Sequence, residues 1–313
     1  MPAWRAIGTV LIAYVFLCVL LAIFLGELAF RPQRLPARYR DSEKVIAARF
    51  GATLQDVSIR ANDGSNLRSW FADPAIANGD AVILLHGVGD NREGMFGFAE
   101  LFLAKGFAVL MPDSRGQGES GGEFPTYGVK ESDDVHRWLD WLKTKDHPRC
   151  VYGMGESMGA AILLQAVEKE TRFCAVVAES SFASFRQIAS IRVGQLIGTG
   201  AWLGRVILRP AVELAFLYGR ITRGVNLIDA SPEKSVVRSR VPILLVHGLA
   251  DHNIPAQQSE RIRAQNPSVI TLWEVEHAGH CGAVNVAHEE FDNRVLGWFT
   301  SHDGKQTTRL PQK

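Results

Sequence analysis

Apolar residues fall along this chain in three patterns, and each predicts a different kind of element. The first is an unbroken run. Residues 6–26 carry no charge and are rich in Leu, Ile, Val and Phe. Wound as a helix at about 1.5 Å per residue, they reach about 31 Å, close to the roughly 30 Å of a bilayer's hydrocarbon core. The second pattern is a pair of short strand candidates, 56–60 and 67–72, around Asn62-Asp63-Gly64. Glycine in that turn accepts the positive φ that a hairpin needs. The third starts at Ala81, where apolar runs begin to alternate with helical stretches. The runs are 81–85, 107–111, 149–154, 173–178, 242–246 and 269–273, and helices are predicted over 92–105, 128–145, 158–170 and 256–264. Continuous apolar runs mean strands buried on both faces, as in parallel sheets. Their alternation with helices predicts an α/β fold with a mostly parallel, doubly wound sheet and right-handed crossovers.

One interval interrupts that rhythm. Residues 182–232 hold no obvious strand but several apolar helical pieces, and they read as an inserted helical lid. Over residues 186–223 within it, Arg186, Arg192, Arg205, Arg209, Arg220 and Arg223 face a single acid, Glu213. Their apolar companions are Ile188, Ile191, Leu196, Ile197, Trp202, Leu203, Val206 and Ile207. The predicted organisation is a transmembrane anchor at 6–28, a linker at 29–45 with Pro32 and Pro36, and a catalytic domain at 46–305. The anchor is preferred to a cleaved signal, because Gly26-Glu27-Leu28-Ala29-Phe30 offers no small-x-small cleavage site. Arg5 precedes the helix, whereas Arg31, Arg34, Arg38, Arg40 and Lys44 follow it, a bias that puts the C-terminal side in the cytoplasm.

Composition narrows the function classes. Of 313 residues, 47% are hydrophobic and 21% charged, and the net charge of +1 leaves no electrostatic footprint for nucleic acid. The four cysteines, at 18, 150, 174 and 281, have neither a disulfide-framework nor a zinc-site spacing and are read as buried apolar residues. No H-E-x-x-H spacing occurs, and no metal or cofactor is expected.

The chemistry centres on Gly155-Glu156-Ser157-Met158-Gly159. A G-x-S-x-G string alone is a weak signal; its context makes it specific. A buried-strand pattern runs into it and a helix follows. The glycines flank the serine because the turn is too tight for a Cβ beside it, and the turn lifts the hydroxyl above the sheet at a helix N-terminus. A serine hydroxyl needs a base, and the base needs an orienting acid. Run 242–246 leads into His247-Gly248-Leu249-Ala250-Asp251, so Asp251 lies at the carboxyl end of a buried strand, where open α/β sheets bind ligands. After the next strand comes His277-Ala278-Gly279-His280-Cys281-Gly282. The order Ser157, Asp251, His280 is that of α/β-hydrolases. His277 and His252 rival His280 as base, and Glu179 rivals Asp251 as acid. Cys281, next to the base, is read as a buried residue. Oxyanion donors are expected from the backbone N–H of Met158 and from the loop His86-Gly87-Val88-Gly89-Asp90, where Val88 is the candidate and His86 a structural residue.

Taken together, H-G-V-G-D (86–90), D-S-R-G-Q-G-E-S (113–120), G-E-S-M-G (155–159), H-G-L-A-D (247–251) and A-G-H (278–280) make the chain resemble the serine aminopeptidase-like and lysophospholipase-like branch of the α/β-hydrolase superfamily. That resemblance implies that Asp113, Arg115, Gly116, Gly118 and Ser120 form a structural loop beside the site. The expected activity is acyl transfer to water from a small-molecule or lipid acyl substrate at the bilayer. Esters, thioesters and peptide amino-termini compete as substrates, and a catalytically silent membrane-tethered receptor or scaffold is the alternative of another class.

Overall fold

The computed structural model describes residues 3–36, 42–145, 148–196 and 206–303. Arg38, Arg40, Ile197, Trp202, Leu203 and Arg205, singled out above, lie outside them. The chain divides into two compact units: Met1–Pro32 with Ser184–Ala230, and Gln33–Ala183 with Ser231–Lys313.

The larger unit is an eight-stranded sheet. Its strands in chain order are β1 (Thr53–Arg60), β2 (Asn66–Asp73), β3 (Ala81–Leu85), β4 (Ala108–Pro112), β5 (Val151–Glu156), β6 (Phe173–Glu179), β7 (Ile243–Gly248) and β8 (Ile270–Val275). The spatial order is β1-β2-β4-β3-β5-β6-β7-β8. The hairpin β1–β2 and the β2–β4 pair are antiparallel, and every pair from β4 through β8 is parallel. The hairpin turns where the sequence signal lay, with Gly64 at φ +83°. Every expected strand is present, displaced by no more than a few residues at its ends.

Because β3 to β7 are covered on both faces, their side chains alternate between two cores. On one face Val82, Leu84, Val109, Met111, Tyr152 and Met154 pack with Phe98, Phe102, Phe291 and Phe299. Tyr152 and Phe299 stack with centroids 4.4 Å apart. The helices here are α3 (Phe96–Leu103) and α9 (His288–Ser301), which follow the unit's short N-terminal helix α2 (Ser42–Phe50) in our numbering. Helices α4 (Glu131–Lys143), α5 (Met158–Ala166) and α8 (Gln257–Gln265) belong to the same unit. Leu163 of α5 packs so close to the sheet that a Cβ on Gly153 would lie 3.0 Å from it.

Among its described residues the smaller unit contains the α-helices α1 (Ala3–Phe30), α6 (Phe185–Leu196) and α7 (Arg209–Arg223). Helix α1 is long and apolar enough to cross a membrane.

The cysteine reading needs correction. Cys150 and Cys174 form a disulfide with a Cα–Cα distance of 5.7 Å, while Cys18 and Cys281 are free. Twenty-four residues separate the pair in sequence, so no short spacing announced it. The sheet joins them: the β5–β6 register shifts after Val151, which pairs with Phe173, whereas Tyr152 pairs with Ala175. Cys174 is the bulged residue left over, and a bulge re-aims a side chain.

Residues 113–120 form a buried ionic loop. The Asp113 carboxylate accepts from the Arg92 amide (2.8 Å), the Arg92 guanidinium (3.0 Å) and the Glu119 amide (2.7 Å). Arg92 also lies 4.4 Å over the Trp70 ring and bonds Glu119. Arg115 grips Asp134 through two bonds of 2.7 and 2.6 Å and reaches Asp63 at 2.7 Å. Gly118 is required here, since a Cβ would stand 2.3 Å from the Asp113 carboxylate. Removing one partner of a buried pair strands the other charge. Asp113→Ala should therefore lower the unfolding free energy by about 3–5 kcal/mol, read as an earlier midpoint in denaturant unfolding of the purified protein.

Candidate active site

The site begins with a backbone conformation. Ser157 stands between the end of β5 and the start of α5 at φ +51°, ψ −109°, a region that non-glycine residues rarely occupy. Neighbouring backbone enforces it. A Cβ on Gly155 would sit 2.5 Å from the Gly159 carbonyl carbon, and one on Gly159 would sit 2.1 Å from the Leu85 carbonyl oxygen. Side chains are excluded on both sides of the serine, so strand and helix approach closely and the hydroxyl is carried over the sheet's carboxyl edge. The Ser157 amide is held by the Glu179 carbonyl at 2.8 Å.

Two loops at the same edge complete the arrangement. The loop after β8 brings His280 Nε2 to 3.0 Å from Ser157 Oγ. The loop after β7 brings an Asp251 carboxylate oxygen to 2.7 Å from His280 Nδ1. Asp251 is buried and also accepts from the Asn253 and Ile254 amides, at 2.8 and 2.9 Å. Burial alone would raise its pKa. The nearby His247 imidazole and hydrogen bonds from His280 and the Ile254 amide outweigh burial and hold the carboxyl well below the usual carboxylate range. The acid thus stays charged, fixes Nδ1 as the protonated nitrogen, and leaves Nε2 lone-pair outward toward the serine.

Five non-glycine residues among those described have positive φ, and four of them, Ser157, Ser180, His277 and Cys281, line these connections. Such conformations persist only where surrounding contacts over-determine them. Here the Cys281 amide donates to Ser180 Oγ at 3.1 Å, the Ala283 amide to Glu179 at 3.0 Å, and the Ser180 amide to the Val246 carbonyl at 2.9 Å.

The rivals fall elsewhere. His277 and His252 are exposed. Glu179 is fully buried under the site, and its second carboxylate oxygen has no hydrogen-bond partner. His86 donates from Nδ1 to the Gly87 carbonyl (2.8 Å) and accepts at Nε2 from the Ser114 amide (3.0 Å); burial lowers its pKa. Both nitrogens are thereby engaged in holding loop 86–90, together with the Gly89 amide, which donates to Gln117 at 2.7 Å. Gly87 lies against the serine, a Cβ there being 3.6 Å from the Ser157 Cβ. Val88 follows Gly87 in that loop, and Met158 is the first residue of α5, whose N–H has no intrahelical acceptor.

Sequence reasoning missed His247. Fully buried, it donates from Nε2 to the Ile254 carbonyl (2.8 Å), bonds Ser259 Oγ through Nδ1 (2.6 Å), and lies 3.4 Å from the Asp251 carboxylate. Its place four residues before Asp251 in H-G-L-A-D was the available signal.

A serine on a strand–helix elbow, bonded in series to a histidine and a buried aspartate at the carboxyl edge of a parallel sheet, defines the hydrolase class of α/β folds. The chain belongs to the α/β hydrolase family: that family's sequence profile matches residues 82–294. Among curated relatives, YqkD of Bacillus subtilis is 28% identical over 204 residues, covering 64% of this chain and 65% of its own length. YfhR of Escherichia coli is 30% identical over 240 residues, 72% of this chain and 74% of the relative. Of solved structures, the Pyrococcus furiosus esterase Pf2001 superposes with a TM-score of 0.68 at 23% identity, over 87% of this chain and 98% of the esterase. An acylaminoacyl peptidase of Pyrococcus horikoshii gives 0.58 at 16% identity, over 80% of this chain and 42% of the peptidase. At these identities the structures are evidence of fold alone.

Glu156 adds a titration to the site. Burial, then the neighbouring charges of Glu179 and Asp90, push its pKa up to about 8 from an ordinary 4.5. A carboxyl with a raised folded pKa contributes stability that is present below the ordinary value and lost as pH climbs through the folded one. Wild type should therefore lose thermal stability relative to Glu156→Gln between about pH 4.5 and 8. If acyl transfer occurs at Ser157, kcat/KM of wild type should also fall roughly tenfold above that upper pH, as negative charge appears beside the elbow. In Glu156→Gln the alkaline limb should flatten; an unchanged limb would assign it to another group.

Proposed function

We propose that the protein is a membrane-anchored serine hydrolase that cleaves carboxylic esters, including lipid acyl esters, through an acyl-enzyme on Ser157. One observation carries this reading: the continuous chain from Ser157 Oγ through His280 to Asp251, at 3.0 and 2.7 Å. His280 Nε2 takes the hydroxyl proton as Oγ attacks the carbonyl carbon, and the carbonyl's electron pair moves onto its oxygen. The amides of Val88 and Met158 receive that oxyanion. Collapse expels the alcohol, protonated by His280, and leaves the acyl group on Ser157. Water, deprotonated by the same imidazole, then releases the acid. Asp251 holds the tautomer and stabilises the imidazolium.

The ester reading draws on the esterase neighbour of nearly equal length and on the apolar α1. Peptidase neighbours favour amide substrates instead, but this chain spans only 42% of the acylaminoacyl peptidase and 32% of the Bacillus subtilis peptidase YuxL. Thioesters fit the same chemistry.

Ser157→Ala should reduce kcat by about 10⁴-fold or more with the fold intact. Asp251→Asn, which presents the wrong tautomer, should reduce it by about 10⁴-fold, whereas Glu179→Gln should keep most activity. Wild type should be labelled by an alkyl fluorophosphonate, and Ser157→Ala should not. Lack of labelling in folded wild type would favour the silent receptor; a crippled Glu179→Gln beside an active Asp251→Asn would move the acid to Glu179.

A further inference from the structure

Helix α7 lies beside α1, and the two run in the same direction. Near the start of α7, the Tyr14 hydroxyl donates to the Ile207 carbonyl at 2.7 Å. Near its end, the Tyr218 hydroxyl donates to Glu27 at 2.7 Å, and Arg223 bonds the same carboxylate at 3.0 Å. The packing between is close. Cys18, Ala22 and Gly26 form a buried stripe on α1, one residue per turn, and Ala211, Ala215 and Gly219 recur at the same spacing on α7. A Cβ on Gly26 would strike the Tyr218 ring at 2.6 Å, and one on Gly219 would strike Phe30 at 2.6 Å. Small residues four apart on both partners are the packing device of helices in lipid, where close backbone approach replaces the missing hydrophobic drive.

Length then places α7. The 28 residues of α1 exceed the roughly 20 that cross a hydrocarbon core. Any stretch of about 20 residues within Ala3–Phe30 includes Tyr14, Cys18 and Ala22. If α1 spans the bilayer, the N-terminal turn of α7 is therefore level with residues inside it. The surface of α7 suits that position. Val206, Ile207, Leu217 and Ile221 are exposed, Ile221 at 73%. Of the charges on this surface, Arg186 and Arg209 pair with Glu213 at 2.7 and 3.8 Å, Arg223 pairs with Glu27 at 3.0 Å, and Arg220 is exposed close to Ile221.

We propose that α7 is a membrane-resident helix, seated in the phospholipid bilayer against α1, with Ile207 in the acyl region and Ile221 near the headgroups. The proposal rests on reading α1 as a membrane anchor. The test uses the full chain lacking its two free cysteines (Cys18→Ala, Cys281→Ala), reconstituted in phosphatidylcholine–phosphatidylglycerol vesicles. A bimane fluorophore is attached at Leu11→Cys, Ile207→Cys or Ile221→Cys, with Val206→Cys as a second reporter beside Ile207. Nitroxides deep in the acyl chain should quench Leu11, Val206 and Ile207, a shallow nitroxide should quench Ile221, and aqueous iodide should spare Ile207. Iodide quenching at both 206 and 207 with Leu11 still protected would overturn the placement of α7 alone. Iodide quenching at Leu11 as well would overturn the anchor with it.

A separate observation bears on orientation. The Cys150–Cys174 disulfide ties β5 to β6 in the catalytic unit. Forming it removes two electrons and two protons from the two thiols, accepted by a protein disulfide oxidant, and such bonds persist in oxidising compartments and are rare in the cytosol. We infer that the catalytic unit faces the oxidising side of its membrane. The basic residues after α1 are weak counter-evidence: Arg31 pairs with Glu27 at 2.8 Å, Arg34 donates to the Gly118 and Ser120 carbonyls, and large domains translocate regardless of such charges. In whole cells treated with N-ethylmaleimide before lysis, Cys150 and Cys174 should escape alkylation and take up two polyethylene-glycol maleimides only after reduction. Alkylation of both before reduction would return the unit to the cytosol.

Discussion

The elbow at Ser157 is the constraint on which the site depends. A side chain forced to φ +51° is costly, and it is retained because strand, turn and helix leave the backbone no alternative. Two absent side chains, at Gly155 and Gly159, let α5 close on β3 and β5. The serine amide is tied to Glu179 on the adjacent strand, so the hydroxyl's position is set by the sheet rather than by a loop. Everything else in the site is arranged to meet that fixed point.

The meeting groups are held by a buried polar network rather than by single contacts. Asp251 keeps its charge under burial because two histidines and two backbone amides share it. His247 contributes from beneath, anchored to Ser259 and the Ile254 carbonyl, and so restrains the acid rather than the base. Glu156 and Glu179 are register partners on β5 and β6; burial raises both, Glu156 to about 8 with help from the charges of Glu179 and Asp90, and Glu179 to about 7 against the lowering pull of the Ala283 amide and of His247 and His280. Protonated, they leave the elbow free of negative charge where an oxyanion would form.

The smaller unit has its own logic. Helix α1 combines membrane-length hydrophobicity with glycine and alanine contacts that only a closely approaching partner explains. A helix whose buried stripe is satisfied by a segment 191 to 196 residues away along the chain is part of a folded element rather than a separate N-terminal appendage.

What the sequence by itself determined is what local pattern governs. Apolar runs buried on both faces, the Asn62-Asp63-Gly64 turn and the glycines around Ser157 act over a few residues, so strand order in the chain and the elbow were legible. The triad candidates were legible too, because each follows a strand and strand ends converge on one sheet edge. Tertiary structure alone decided what depends on residues far apart in sequence. A register shift of one residue between β5 and β6 brings Cys174 to Cys150, which no spacing rule detects. His247 reads as a strand residue until β7 and α8 enclose it. Burial of Glu156 beside Glu179 requires two neighbouring strands in register. Gly26 and Gly219 are unremarkable until two helices approach closely enough for a Cβ to collide. Periodicity reports which face of an element is buried; only the packed fold supplies the partner that buries it.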